Sequence, residues 1–300
     1  GIGAYYGARL LAAGHEVTLI ARGAHLAAMR EHGLTIKSAL GDLSFDKVDA
    51  TDDPKSVGPV DTVLFTVKLY DTESAAEAIK PLIGGNTTVL TLQNGIESAG
   101  ILARILGPRH VLPGSAYIVS NLTAPGAIVH NGTMQKILFG ETDGSRSNRA
   151  VKLNDALTGA GIEAALSEKI DVEVWKKFMT LATWAGLASV MRGELELIRR
   201  HSRSRKLMKD AIDEIVAVGQ ATGIALSSDH AEATFETLMT GPAPNAKPSM
   251  LLDLEQGRKL ELPWLSGAVT RLGGELRVPT PVHNFMYAVL EPYINGRVLH

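Results

Sequence analysis

Cysteine is absent from the 300-residue chain, which excludes disulfides, thiol catalysis and thiolate metal sites. No continuous apolar run approaches the ~20 residues that a membrane-spanning helix needs. No signal peptide is visible, so the expected compartment is the cytoplasm. Neither sign of charge is in excess: 30 Lys and Arg stand against 32 Asp and Glu, a net of −2. That balance gives no general field to attract nucleic acid or an anionic membrane. The one basic block, from Arg199 to Lys206, has no interleaved aromatics and reads as a solvated helix junction. An initiator Met is also lacking. The chain opens inside a glycine-rich turn, Gly1-Ile2-Gly3, and is expected to be a fragment that lacks its first strand.

What is present is an ordinary globular composition, 45 % hydrophobic and 21 % charged, long enough for two domains. The expected division is an α/β Rossmann-like parallel-sheet domain over 1–168 and an all-α domain over 169–300. In the first half, Gly1 to Gly7 leads into a helix over Ala8–Gly14, closed by glycine. The β-branched run His15–Arg22 then reads as a buried strand. Turn, helix and strand are what remains of a βαβ unit whose first strand is cut away, and such a unit binds pyrophosphate on glycine backbone and a helix N-terminus. An NAD site usually carries an acid at the tip of the next strand, whereas an Arg accommodates a 2′-phosphate. Here Arg22 is followed by Gly23 with no acid, which predicts NADP(H).

Further along, Leu34–Ser38 and Leu43–Phe45 flank Gly41-Asp42 as a hairpin. Val60–Val67 and Thr87–Gln93 are buried strands, with a helix between them over Glu73–Leu82. Lys68 and Asn94 stand just past their carboxyl ends, the edge where open parallel sheets bind ligands. From Val111 to Glu141 the pattern changes to short alternating strands with turns at Gly126 and Asn131-Gly132. His110 and His130 lack partners at metal-ligand spacing and are expected to be structural or on the surface. The second half carries no strand signal. Lys206–Ala221 is amphipathic, and Asp229 with Glu232 has capping-box spacing. Ser249 starts a helix that is expected to continue towards Glu261.

One stretch stands out. From Phe178 to Met191 no charged residue occurs, so the segment reads as a buried helix, with Lys177 at its head. Positions 177, 181, 184 and 188 give Lys, Leu, Trp and Ala along one helical stripe. A lysine there either snorkels outward or serves chemistry in a cleft.

Six segments in order make the chain similar to the ketopantoate reductase family, the NADPH-dependent 2-dehydropantoate 2-reductases of pantothenate biosynthesis. They are Gly1–Leu10, Ala21-Arg22, Thr66-Val67-Lys68, Leu92–Gly95, Trp175-Lys176-Lys177, and Lys247–Asp253 continuing to Glu261. The resemblance implies reduction of a 2-oxo acid, ketopantoate to pantoate in the family, with Lys177 as catalytic acid and Glu261 as active-site carboxylate. It assigns the substrate carboxylate to Ser249, cofactor binding to Gly1, Gly3, Arg22 and Lys68, and a cofactor and substrate role to Asn94. Gly3 matches the last of the family's three motif glycines. The implied helical domain is like the C-terminal domain of 6-phosphogluconate dehydrogenase. No metal is called for, and a homodimer stays open. In one place the chain departs. The family's reductases usually carry Asn four and eight residues after the lysine, where amides hold the substrate's oxygens; this chain has Leu181 and Ala185. A more apolar 2-oxo acid fits these residues at least as well as ketopantoate, since hydrogen-bonded discrimination is lost. A related NADP-dependent hydroxyacid dehydrogenase and a non-catalytic NADP(H)-binding protein are the alternative readings.

Overall fold

A computed structural model describes residues 1–297. The chain forms two compact units, Gly1–Gln93 with Ser98–Ile170, and Asn94–Glu97 with the chain from Asp171 onward. The first is an α/β parallel-sheet unit of Rossmann type and the second is helical, the fold class expected from the sequence.

In the first unit the chain runs through α1 (Ile2–Ala12), β1 (Thr18–Ile20), α2 (Gly23–His32), β2 (Leu34–Ser38), β3 (Leu43–Phe45) and β4 (Asp49–Thr51). It continues with β5 (Thr62–Phe65), α3 (Thr72–Ala78), β6 (Thr88–Thr91), α4 (Ser98–Leu106), β7 (Val111–Ala124), β8 (Ala127–Phe139), α5 (Asn148–Gly159) and β9 (Ala164–Leu166). Seven strands form one sheet in the order β3-β2-β8-β7-β6-β5, with β9 beside β8, while β1 and β4 pair separately and in parallel. β5, β6 and the start of β7 are parallel. All four residues of β6, Thr88, Val89, Leu90 and Thr91, are buried, as in a strand covered on both faces.

Several local expectations shift. Helix α1 starts at Ile2, not Ala8, so the glycine turn already belongs to its first turn. Glycine costs little there, because first-turn amides have no intrahelical acceptor to lose. The region from Val111 to Glu141 holds two long antiparallel strands instead of several short ones. Asn131-Gly132 makes no turn: the pairing steps from Ile118↔Gln135 to Ser120↔His130, so this dipeptide is absorbed as a bulge in β8. His130 braces that bulge, with Nε2 2.8 Å from Met134 O and Nδ1 2.9 Å from Ser38 Oγ. His110 is likewise buried, 2.8 Å from Thr87 O.

The second unit contains α6 (Ile170–Met191), α7 (Leu195–Arg200), α8 (Ser202–Ala221), α9 (Ser228–Thr240), α10 (Ser249–Glu255), α11 (Ser266–Leu276) and α12 (Pro281–Leu290), and no strand among its described residues. The basic block falls at the α7–α8 junction. There Arg199 donates to Leu238 O and Pro242 O at 2.8 and 2.9 Å, meeting carbonyls that the end of α9 cannot satisfy internally. The capping box of α9 is formed by Ser227 and His230, two residues before the expected Asp229 and Glu232. An imidazole nitrogen accepts from the cap amide as well as a carboxylate does, so the motif escapes the usual pattern. Helix α10 stops at Glu255, because Gly257 takes φ +63° and turns the chain, so Glu261 lies beyond the helix.

α12 is tied down by a carboxylate from α8. Pro281, its first residue, has no N–H, and the next two amides, of Val282 and His283, donate to buried Glu214 at 2.7 and 3.0 Å. Burial pushes the Glu214 pKa up, opposed by these two bonds. Glu214→Ala strands both donors in the core and is expected to lower unfolding stability by roughly 2–3 kcal/mol. Glu214→Gln, which keeps one acceptor, should lose less; urea denaturation of both variants checks the order.

Candidate active site

In the second unit the site begins with two adjacent lysines on α6. Lys176 pairs with Glu173 one turn back at 3.0 Å and stays at the surface. Lys177 is set between buried Trp175, Phe178 and Met179 and reaches solvent over only part of its surface. Loss of hydration lowers its pKa from 10.5 to about 8, and the charge of Glu261 pulls it back up. Glu261 is itself buried, 6 % exposed, between Leu260 and Leu262, which are fully covered.

The segment carrying Glu261 is held from three sides. Arg258 bonds buried Asp253 through Nε at 2.7 Å and Nη2 at 2.6 Å. The Leu260 amide donates to Ile294 O at 2.9 Å, and the Arg297 amide to Gly257 O at 3.2 Å. A carboxylate on a braced loop facing an ammonium on a buried helix is a fixed charge pair, and the ammonium's proton is labile near neutral pH. That arrangement can deliver a proton to a developing alkoxide and stabilise its charge.

Ser249 is exposed and is the first residue of α10, whose N-cap is Pro248. Its hydroxyl therefore does not cap the helix. Asn94 is half-buried and belongs to the second unit with Ile96, which packs on the helical core. The positions four and eight residues after Lys177 differ from each other. Leu181 is partly exposed, whereas Ala185 is 3 % exposed in the core cluster. Beside it Gly186 permits contact so close that a Cβ would lie 2.5 Å from Met286 Sδ.

In the first unit, a Cβ on Gly3 would lie 2.4 Å from Thr66 Oγ1, so this glycine lets α1 approach the end of β5, the role of the third glycine in a dinucleotide turn. Gly1 is the N-cap of α1, with no side-chain cap and no acid in the first turn. Its Cβ would meet Ser120 O at 2.7 Å. The first-turn amides and the helix dipole are thus directed at a place that suits a pyrophosphate. Lys68 is exposed just past β5, and Arg22 is exposed as the N-cap of α2. Glycine backbone at a helix N-terminus and two cations fit a phosphorylated dinucleotide.

Two residues of this unit have no role assigned to them from the sequence. Gln93, 8 % exposed, donates through Nε2 to Val67 O at 3.0 Å and to Thr72 Oγ1 at 2.8 Å, and its Oε1 accepts from Thr91 Oγ1 at 3.3 Å. It therefore fixes the loop bearing Lys68. The other is Asp71, whose Oδ2 lies 3.6 Å from Arg22 Nη2. Along the chain Gln93 is simply the last residue of a buried strand, and only pairing of β5 with β6 reveals its partners. No group of three or more His, Asp or Glu placed to hold a metal ion occurs among the described residues, and no described helix is long and apolar enough to cross a membrane.

A Rossmann-type unit with a glycine-opened first helix, joined in one chain to a helical unit with a desolvated lysine, defines the two-domain dehydrogenase class of oxidoreductase. Residues 1–144 match the family model described as Ketopantoate reductase PanE/ApbA, and residues 169–293 match Ketopantoate reductase PanE/ApbA C terminal. The uncharacterized oxidoreductase YkpB of Bacillus subtilis is 30 % identical over 295 residues, which cover 98 % of this chain and 96 % of that protein. The 2-dehydropantoate 2-reductase of Mesorhizobium japonicum is 28 % identical, over 96 % of this chain and 94 % of that one. The crystal structure of a PanE/ApbA family ketopantoate reductase from Ralstonia eutropha superposes with a TM-score of 0.89 at 30 % identity, covering 97 % of this chain and 95 % of that one. The chain belongs to the ketopantoate reductase family.

Because Glu261 raises the Lys177 pKa, Glu261→Gln is expected to lower it further. With Lys177 as the proton donor the ammonium is the active form, so on that reading the fall in kcat/KM with rising pH should move to lower pH in the variant; pH–rate profiles check the displacement. A buried charge pair is also a poor source of stability. Replacing both partners, Lys177→Met with Glu261→Gln, should abolish turnover while raising stability by about 1–3 kcal/mol, read by calorimetry at neutral pH.

Proposed function

We propose that this protein is an NADPH-dependent reductase that converts a 2-oxo acid into a 2-hydroxy acid, with Lys177 as the general acid. The observation that carries the reading is the Lys177 ammonium, desolvated on α6 to a pKa of about 8 and facing the charge of Glu261. Family membership supports the reaction class, and Arg22 at the tip after β1 supports a 2′-phosphate on the cofactor.

When bound, the reduced nicotinamide supplies the hydride that goes to the carbonyl carbon. Lys177 donates its proton to the carbonyl oxygen as negative charge develops there, which leaves a neutral amine that is recharged from solvent. Glu261 keeps Lys177 protonated near neutral pH and orients it. Ser249 and Asn94 donate to the substrate: the hydroxyl suits a carboxylate, the amide the carbonyl or the cofactor. Gly1, Gly3 and the first-turn amides of α1 carry the pyrophosphate, and Lys68 adds positive charge beside it. A small-molecule 2-oxo acid is the one partner this reading needs.

Leu181 bears on the substrate. One turn along α6 from Lys177, a leucine gives no reward for a hydroxyl on the substrate side chain, and favours an apolar one. The second reading is ketopantoate reduction proper in pantothenate synthesis, favoured by relatives named 2-dehydropantoate 2-reductase.

A panel of 2-oxo acids followed by NADPH oxidation is expected to rank those with apolar side chains above ketopantoate. Leu181→Asn should narrow that gap. Lys177→Ala should cost at least about a hundredfold in kcat for the best substrate, the scale of a lost general acid. A loss below about tenfold would mean that another group supplies the proton.

A further inference from the structure

Along the chain Arg22 has no acid beside it; in the fold it does. Asp71, from the loop after β5, holds its carboxylate 3.6 Å from the Arg22 guanidinium. The two residues differ in freedom. Arg22 is a long, exposed side chain, 72 % accessible. Asp71 sits on a braced loop: its amide donates to Lys68 O at 2.9 Å, and its carbonyl accepts from Ser74 Oγ at 3.1 Å. Gln93 ties the same loop to Thr72 and Val67. The carboxylate is therefore a standing feature of the place to which Arg22 is assigned.

Dinucleotide sites read the adenosine ribose with one of two groups, a carboxylate that accepts from the 2′-hydroxyl or an arginine that pairs with a 2′-phosphate. This chain brings both to one spot. A carboxylate so close offsets part of the guanidinium charge and repels a phosphate dianion arriving there, and it can accept a hydrogen bond from an unmodified ribose. An exposed ion pair of this kind is itself worth little, so Arg22 is not locked away from a phosphate. Binding of the 2′-phosphate is weakened without being blocked.

We infer that Asp71 sets the cofactor preference of this protein, competing with the 2′-phosphate for Arg22 and accepting the ribose 2′-hydroxyl, so that NADH serves alongside NADPH. The inference rests on the nucleotide-binding reading of the first unit and goes beyond it, because it assigns the size of the preference to a residue of a different strand end.

Direct binding, without substrate, tests it. NADPH and NADH are titrated by nicotinamide fluorescence into the wild type, Asp71→Asn, Asp71→Ser and Arg22→Gln, at low and high salt. The wild type is expected to favour NADPH by less than about a hundredfold. Both Asp71 variants should raise the NADPH:NADH affinity ratio by about tenfold, less at high salt. Arg22→Gln should lose affinity for NADPH and keep NADH. Asn is isosteric with Asp, and Asp71 is partly exposed with no side-chain role in capping α3, so neither variant threatens the fold; circular dichroism verifies this. A ratio that moves less than about threefold in both Asp71 variants, or a wild type beyond about a hundredfold for NADPH, overturns the inference alone. Failure of both nucleotides to bind the wild type overturns the nucleotide reading, and this inference with it.

Discussion

The helical unit holds an ammonium, that of Lys177, against the cost of desolvation. Lys177 lies on a helix whose next fourteen residues carry no charge, and it is only partly exposed to solvent. Its ammonium is tolerated because Glu261 faces it from a loop fixed by the Asp253–Arg258 pair and by the Leu260 amide on Ile294. Desolvation disfavours the charged form and the carboxylate restores it, and the balance leaves a proton that can be given up near neutral pH. A lysine in water would hold its proton too tightly for this, and a lone buried one would not hold it at all. Lys176, one residue earlier, pairs with Glu173 one turn back.

In the α/β unit the constraint is a close approach. Gly3 has Thr66 where its side chain would be, so α1 sits against the end of β5, with its N-terminal amides uncapped. Gln93 performs the complementary task at the end of β6. It is a buried amide whose bonds to Thr91, Thr72 and Val67 hold the loop that presents Lys68 and Asp71. Neither residue touches reacting atoms in the proposed chemistry, and both decide where the residues that do so are held.

Much of this was legible in the chain. Hydrophobic periodicity distinguished a strand-bearing first half from a helical second, and the hairpin around Gly41-Asp42, the strands ahead of Lys68 and Asn94, and the lysine at the head of an apolar helix all lay in local pattern, although of these two strands only β6 is buried throughout. What was misread follows from the same locality. Asn131-Gly132 carries a turn signal in sequence, but β7 was long enough to keep pairing past it, so the signal became a bulge. The cap of α9 uses a histidine where an acid is usual. Leu181 and Ala185 look like equivalent substitutions at a four-residue spacing, yet one is partly exposed and the other is buried in the helical core.

By itself the sequence determined the class of the protein: residue types at fixed spacings, Gly-Ile-Gly, Lys68, Asn94, Lys177 and Glu261, are properties of the chain and survive without coordinates. Tertiary structure decided what those groups experience. The lowered pKa of Lys177 needs the count of atoms that displace water and a carboxylate 84 positions away in the chain. The acid beside Arg22 comes from Asp71, 49 positions on, and no window along the chain contains both. Electrostatic energy depends on distance and on burial, and sequence separation fixes neither.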